Sequence, residues 1–218
     1  MKIFSTNLFD LVDGSSLPRP KSVLQVGASG GQEVHFFREH GVQAGLFIEP
    51  LDYPFEVLSQ NCKNIKGFFP LKAIALSLDD KTVVFHVASN AGMSSSILPP
   101  KSHIESYPHV KFEDTLELQG YTLDTLVSRS AKNFLGCPFC FDLIYIDVQG
   151  AELEVFKGAS FQLQSARYVF TEVGLGGGYQ NDVELETLIG FLRAFGFRLL
   201  ALEVGARTGY GNAFFARL

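Results

Sequence analysis

The sequence predicts an α/β fold in which a mostly parallel sheet has helices on both faces and ends in an antiparallel strand. Short apolar runs typical of buried strands alternate with segments whose apolar residues recur at helical spacing. The run at residues 141–147 is mostly apolar, as expected of a central strand covered on both sides. A short final connection makes the last strand antiparallel to its neighbour.

Size and composition favour one domain over residues 1–218. The chain has 218 residues, of which 46% are hydrophobic and 19% are charged. These proportions are typical of a compact globular protein with a sizeable core. We therefore expect a single domain, preceded by a lead-in segment at residues 1–20 that ends in two prolines.

Charge and hydropathy exclude several kinds of partner. The formal net charge is −5, and no Lys/Arg stripe is present, so we expect no nucleic acid partner. No apolar run approaches the roughly 20 residues that span a bilayer, so we expect no membrane partner. The polar N-terminus lacks a signal peptide pattern, and three cysteines do not suggest a disulfide framework. We predict a cytoplasmic protein; the sequence does not specify its oligomeric state.

The elements of the predicted fold follow in order along the chain. A long segment at residues 89–110 has no apolar period and is predicted to be a lid or substrate loop. We expect residues 82–87 to be the hairpin return of the strand before them. The predicted strands are residues 23–26, 44–48, 68–76, 82–87, 141–147, 167–171, 197–202 and 212–216, and the predicted helices are residues 32–40, 53–62, 123–129, 152–157 and 183–195.

Acidic residues follow several of the predicted strands. Glu49 ends the second strand, Asp147 ends the central strand, and Glu172 follows the next one. Ligands of open parallel sheets bind outside the carboxyl ends of the strands. We therefore expect these three carboxylates to meet around one crevice.

A glycine-rich turn, G-A-S-G-G at residues 27–31, follows the first strand. Such a turn lets backbone approach a ligand, and the helix behind it presents its positive end to an anionic group. Glu49, placed 22 positions after Gly27, suits the two hydroxyls of a ribose. Ser29 stands where a dinucleotide fingerprint needs its second glycine, which favours an adenosyl ligand without a pyrophosphate, namely S-adenosylmethionine.

The chain resembles the FkbM-type methyltransferases from about residue 23 to its C-terminus. The strongest segment is I-D-V-Q-G-A-E-L-E-V-F-K-G-A at residues 146–159, which is similar to the family signature I-D-V-Q-G-A-E-L-x-V-L-x-G-A. The glycine turn and the motifs at residues 48–50, 93–96, 123–124 and 196–197 fall in the family's order.

This resemblance implies a class I, Rossmann-like methyltransferase that uses S-adenosylmethionine to methylate a hydroxyl oxygen of a sugar or natural product. It implies that the turn at Gly27 holds the methionine part, Glu49 the ribose and Ala75 the adenine, with Asp147 near the methyl group. Gln25 departs from the family, which usually has an acidic residue there. The candidate cofactor-binding residues are Gln25, Gly27, Ala28, Ser29, Gly31, Glu49, Pro50, Ala75 and Asp147.

Catalysis needs in-line positioning of the acceptor oxygen and a base, because a sulfonium methyl is already activated. Asp147 is the first candidate base, and Glu172 and Glu152 are the next. Alternatively, Asp147 caps the next helix or orients the cofactor, or a loop histidine, His103 or His109, is the base.

The residues are also compatible with a metal ion and with two different functions. Strand-end carboxylates are able to bind a divalent cation, although we predict no metal site. An inactive, methyltransferase-like binding protein would be favoured by Gln25. An NAD-dependent oxidoreductase matches less well, because Ser29 replaces the second glycine of its fingerprint.

Overall fold

A computed structural model describes residues 8–205 and 209–217 of the chain. Residues 1–7 of the predicted lead-in segment, and residues 206–208 and 218 of the predicted single domain, lie outside the described residues. None of the helices in these two ranges is both long and apolar enough to cross a membrane.

Helices and strands alternate along most of the chain. The helices are α1 (Leu8–Gly14), α2 (Val34–Glu39), α3 (Asp52–Cys62), α4 (His103–Ser106), α5 (Leu123–Asn133), α6 (Glu152–Lys157), α7 (Ser160–Ser165) and α8 (Leu185–Ala194). The strands are β1 (Ser22–Val26), β2 (Ala44–Glu49), β3 (Phe68–Lys72), β4 (Ala75–Leu76), β5 (Lys81–Val87), β6 (Asp114–Thr122), β7 (Leu143–Ile146), β8 (Tyr168–Gly174), β9 (Phe197–Val204) and β10 (Tyr210–Arg217).

The main sheet has seven strands in the order β3-β2-β1-β7-β8-β10-β9. Strands β3, β2, β1, β7 and β8 pair in parallel, whereas β10 is antiparallel to both β8 and β9. The predicted fold class, including the antiparallel last strand, is confirmed. The chain leaves β1 toward β2 and returns to the other side of β1 as β7, which makes the β1/β7 boundary a topological switch point.

Side chains that alternate along each central strand bury the two faces of this sheet. Leu24 and Val26 of β1 pack in a cluster with α5, α6, α7 and α8, whereas Val23 packs in a second cluster with α1, α2 and α3. Helices therefore cover both faces, as predicted. The same alternation puts Gln25 beside Val23 on the face of the second cluster.

The region between β3 and β6 differs from the predicted arrangement. The single strand expected at residues 68–76 is two strands, β3 in the main sheet and β4 in a smaller sheet of order β4-β6-β5. The predicted hairpin return is also wrong, because β5 pairs antiparallel with β6. Strand β6 was not predicted, because five of its nine residues are exposed and its alternation of apolar and polar residues is confined to the short run around Leu116 and Leu118.

Three short helices were not predicted. Helix α1 lies within the expected lead-in segment, where Phe9 and Val12 are fully buried against the sheet. Helix α4 lies within the predicted loop at residues 89–110, and α7 follows α6 after two residues. Each has four to seven residues, too few for a helical period to stand out in the sequence.

Gly158 brings the end of α6 against β4. A Cβ at this position would overlap the Leu76 carbonyl oxygen, so the two backbones touch directly. This contact fixes β4 beside α6 and thereby positions the neighbouring Ala75.

Gly158→Ala is expected to lower the free energy of unfolding by about 1–3 kcal/mol, because the added methyl group collides with backbone. Gly190→Ala is the matched control, since an added Cβ in α8 meets no atom within 4 Å. It is expected to raise stability by about 0.5–1 kcal/mol through the helix preference of alanine. Urea unfolding of both variants measures these changes; a Gly158→Ala protein as stable as the wild type would contradict the close contact.

Candidate active site

A cavity of about 650 Å³ lies over the carboxyl ends of β1, β2 and β7, at the switch point of the sheet. Its walls include Glu49, Asp147 and Glu172, so the predicted gathering of three strand-end carboxylates is confirmed. Glu172 lies inside β8 but just beyond the last parallel pair, Ile146 with Thr171.

The glycine turn joins three strand ends by backbone contacts. The amides of Gly27 and Ala28 both donate to the Ile48 carbonyl oxygen of β2, each at 3.0 Å. Gly27 has a φ of 76°, and a Cβ there would overlap the carbonyl oxygen of Asp147. Only glycine combines this left-handed backbone with so close an approach.

The turn differs in one respect from the expected geometry. Helix α2 begins at Val34 and has six residues, so its N-terminus does not follow the turn directly and is no anion site. Ser29, with a φ of 46°, donates its backbone N–H to Glu49 Oε2 at 2.9 Å. The turn is therefore tied to a carboxylate and not to a helix end.

Glu49 is almost completely buried, at 6% exposure, and it lines the cavity. Its Oε1 accepts from the Leu51 amide at 2.9 Å and its Oε2 from Ser29. Burial raises the pKa of Glu49 to about 7, although these two hydrogen bonds oppose the shift. Each carboxylate oxygen retains a lone pair, which leaves two acceptors for a pair of ligand hydroxyls.

Gln25 and Glu33 form a pair at the neighbouring wall. The Gln25 amide nitrogen donates to Glu33 Oε2 at 3.1 Å, and both side chains line the cavity. Burial raises the pKa of Glu33. Glu33 was not among the predicted site residues; its only signal in the sequence is an acidic residue six positions after the first glycine of the turn.

Asp147 and Glu172 form a buried carboxyl pair that is bridged by Gln149. The Gln149 amide nitrogen lies 2.7 Å from Asp147 Oδ1 and 2.7 Å from Glu172 Oε2, so one amide bridges the two carboxyl groups. Burial raises the pKa of both carboxyl groups, and the charge of Asp147 raises the pKa of Glu172 further, well above its usual range. Gln149 lies in the signature motif but was not predicted to have a role in the site.

Glu152 has a different position from the other carboxylates. It is 2% exposed and does not line the cavity; its Oε1 accepts from the amides of Val148 and Gly150. Burial raises its pKa to about 7. The geometry corrects the second-choice catalytic assignment of Glu152, because its carboxylate holds the turn that follows Asp147.

The remaining predicted cofactor-binding residues divide into two groups. Ser29, Pro50 and Ala75 lie in the cavity wall together with Gln25, Gly27, Glu49 and Asp147. Ala28 and Gly31 are buried and do not line the cavity, so they contribute to the conformation of the turn and not to its surface.

The predicted substrate loop at residues 89–110 forms the outer wall. Its residues His103, Tyr107 and His109 line the cavity. His103 is 3% exposed, and burial lowers its pKa, which favours a neutral ring. Backbone N–H groups of residues 101–103 donate to the carbonyl oxygens of Gly177 and Gly178, so the loop is bonded to this segment.

No group of three or more His, Cys, Asp or Glu side chains within residues 8–205 and 209–217 is arranged to hold a metal ion. The carboxylates of Glu49, Asp147 and Glu172 instead accept hydrogen bonds from amides.

Comparison with known proteins assigns the family. A sequence model of the methyltransferase FkbM domain matches residues 25–199. The chain belongs to the FkbM methyltransferase family. The predicted family and its cofactor, S-adenosylmethionine, are confirmed.

A relative of known name is also a methyltransferase. The chain is 27% identical over 191 residues to the 2-O-methyltransferase NoeI of Sinorhizobium fredii (strain NBRC 101917 / NGR234), a match that covers 83% of this chain and 75% of the relative.

Two solved structures share the fold of this FkbM protein. A candidate tRNA (m1A22) methyltransferase of Streptococcus pneumoniae matches with a TM-score of 0.51 and 12% identity over 98% of this chain and 71% of that one. A protein of the NADB-Rossmann superfamily from Streptococcus agalactiae matches with a TM-score of 0.50 and 14% identity over 97% and 69%. At these identities the likeness concerns the fold alone.

The stability of this FkbM protein is expected to fall as pH rises from about 4.5 to 7. A glutamate of the unfolded chain loses its proton near 4.5, whereas Glu49 and Glu152 in the fold keep theirs to about 7. The folded state therefore binds more protons in this window. Glu152→Gln keeps an oxygen that accepts from the two amides but removes the titrating carboxyl group. The slope of the unfolding free energy against pH should therefore become shallower, by at most about 1.4 kcal/mol per pH unit. Urea unfolding at pH 5 and pH 7 measures the slope; an unchanged slope would contradict the burial of Glu152.

Proposed function

We propose that this protein transfers the methyl group of S-adenosylmethionine to a hydroxyl oxygen of a sugar or a related small natural product. The observation that carries the proposal is the Asp147–Glu172 pair, which faces the cavity beside the glycine turn and is able to take up a hydroxyl proton. The 2-O-methyltransferase relative supports oxygen as the methyl acceptor.

The cofactor fits the half of the cavity near β1 and β2. Glu49 has two lone pairs left for the ribose hydroxyls, and the backbone of the Gly27 turn is open to the methionine part. Ala75, in the wall with Ile74 and Phe85, offers an apolar surface for the adenine. Position 25 contributes an amide in place of the family's carboxylate.

The chemistry assigned to the protein is deprotonation and orientation. When bound, S-adenosylmethionine would supply an activated sulfonium methyl group for transfer to the acceptor oxygen, with S-adenosylhomocysteine as the leaving thioether. Asp147 accepts the hydroxyl proton, while Gln149 holds both carboxyl groups in place. Glu172, bound to the same Gln149 amide, keeps the Asp147 side chain directed at the cavity.

The acceptor fits the half of the cavity under the loop at residues 89–110. Tyr107, His103 and Tyr210 give this half an aromatic wall, of the kind on which a sugar ring packs. Among the described residues that line the cavity there is no lysine or arginine. This wall suits an uncharged, hydroxylated acceptor better than a phosphorylated one.

Glu49→Ala is expected to weaken binding of S-adenosylmethionine by roughly 5- to 150-fold, or about 1–3 kcal/mol, because the ribose hydroxyls lose their acceptors. Isothermal titration calorimetry measures the affinity. Asp52→Ala is the control, since this carboxylate is three positions away, is exposed and does not line the cavity. If both variants bind as the wild type does, the ribose assignment is wrong.

Asp147→Asn is expected to lower turnover by about 100-fold or more while cofactor affinity changes little, because an amide cannot accept the proton. The assay is methyl transfer from labelled S-adenosylmethionine to a panel of neutral sugars and hydroxylated natural products. Asp114→Asn, an exposed position in β6, is the control and should retain wild-type turnover. If the wild type binds the cofactor but methylates no acceptor of any class, the inactive binding protein becomes the better description.

A further inference from the structure

Gln25 has an unused acceptor in a buried position. Its side chain is 1% exposed, and its amide nitrogen is committed to Glu33 at 3.1 Å. The amide oxygen, Oε1, is buried without a hydrogen bond partner. A buried carbonyl oxygen left alone costs free energy, so an unpaired one that lines a cavity points to a donor on the ligand.

Glu33 lies beside this oxygen at the same wall. It occupies the N-cap position of α2, but its side chain makes no capping hydrogen bond and instead lines the cavity. Burial raises the pKa of its carboxyl, and the bond from Gln25 opposes that shift. The carboxylate is thus held in a partly desolvated position from which the helix gains nothing.

We propose that Glu33 and the Gln25 amide oxygen together bind the ammonium group of the methionine part of S-adenosylmethionine. The negative charge that the amide at position 25 lacks is, in this chain, supplied from position 33. The inference rests on the cofactor-binding part of the proposed function and is independent of the acceptor.

The charge balance of the cavity supports this assignment. Glu33, Glu49 and Asp147 line it, whereas the described lining residues include no lysine or arginine. A cation on the ligand is therefore attracted to this wall. Gln25 lies on β1 two residues before Gly27, and both residues line the cavity.

The decisive experiment compares two ligands in calorimetric titrations. One is S-adenosylhomocysteine; the other is the same thioether with hydrogen in place of the amino group. Glu33→Gln is expected to weaken binding of S-adenosylhomocysteine by about 10- to 100-fold, as for the loss of a charged hydrogen bond. Binding of the deaminated ligand should change less than twofold.

Two further variants separate recognition from structure. Gln25→Glu combined with Glu33→Gln moves the carboxylate to position 25 and should recover most of the lost affinity for S-adenosylhomocysteine. Glu39→Gln, at an exposed position of α2, should bind both ligands as the wild type does.

Equal losses for the two ligands in Glu33→Gln, or no loss for either, would overturn the ammonium site. If the wild-type protein itself binds neither ligand, the proposed function fails. The two failures are therefore distinguishable.

Discussion

The site depends on the direct contact between the backbone of Gly27 and the carbonyl oxygen of Asp147. Because position 27 has no side chain, the turn after β1 packs on the end of β7, while its amides bond to Ile48 in β2. This one contact brings the ends of three strands within reach of the same cavity. Glu49 and Asp147, 98 positions apart in the chain, consequently face one ligand space.

The parallel sheet was predictable because its strands are buried on both faces and therefore read as apolar runs. The smaller sheet was not predicted, because β6 exposes five of its nine residues and its apolar alternation is limited to Leu116 and Leu118. Helix α1 illustrates another limit. Its few buried residues, among them Phe9, are buried only because they pack on the sheet, and the local sequence does not specify that contact.

The main carboxylates of the site were predictable, since topology alone brings strand ends together. Which of these carboxylates face the cavity was not predictable. Glu152 and Asp147 lie five positions apart in one motif, yet the former turns back to backbone amides and the latter faces the cavity. Glu33 and Gln149 were not predicted as site residues, because the conformation of a local turn directs each side chain to the cavity. The backbone of Gln149 has a left-handed conformation, with a φ of 56°.

The Tyr179 hydroxyl lies 2.8 Å from the carbonyl oxygen of Ser94 and 3.3 Å from Gln149 Oε1. The outer loop and the amide that holds the carboxyl pair are thus braced by a single phenol. The loop therefore has two kinds of position: those that line the cavity alone, and those that are also linked to Gln149 through Tyr179. Tyr107 and His109 line the cavity from the loop, whereas alterations that shift the Ser94 backbone would also move Tyr179 and, through it, Gln149.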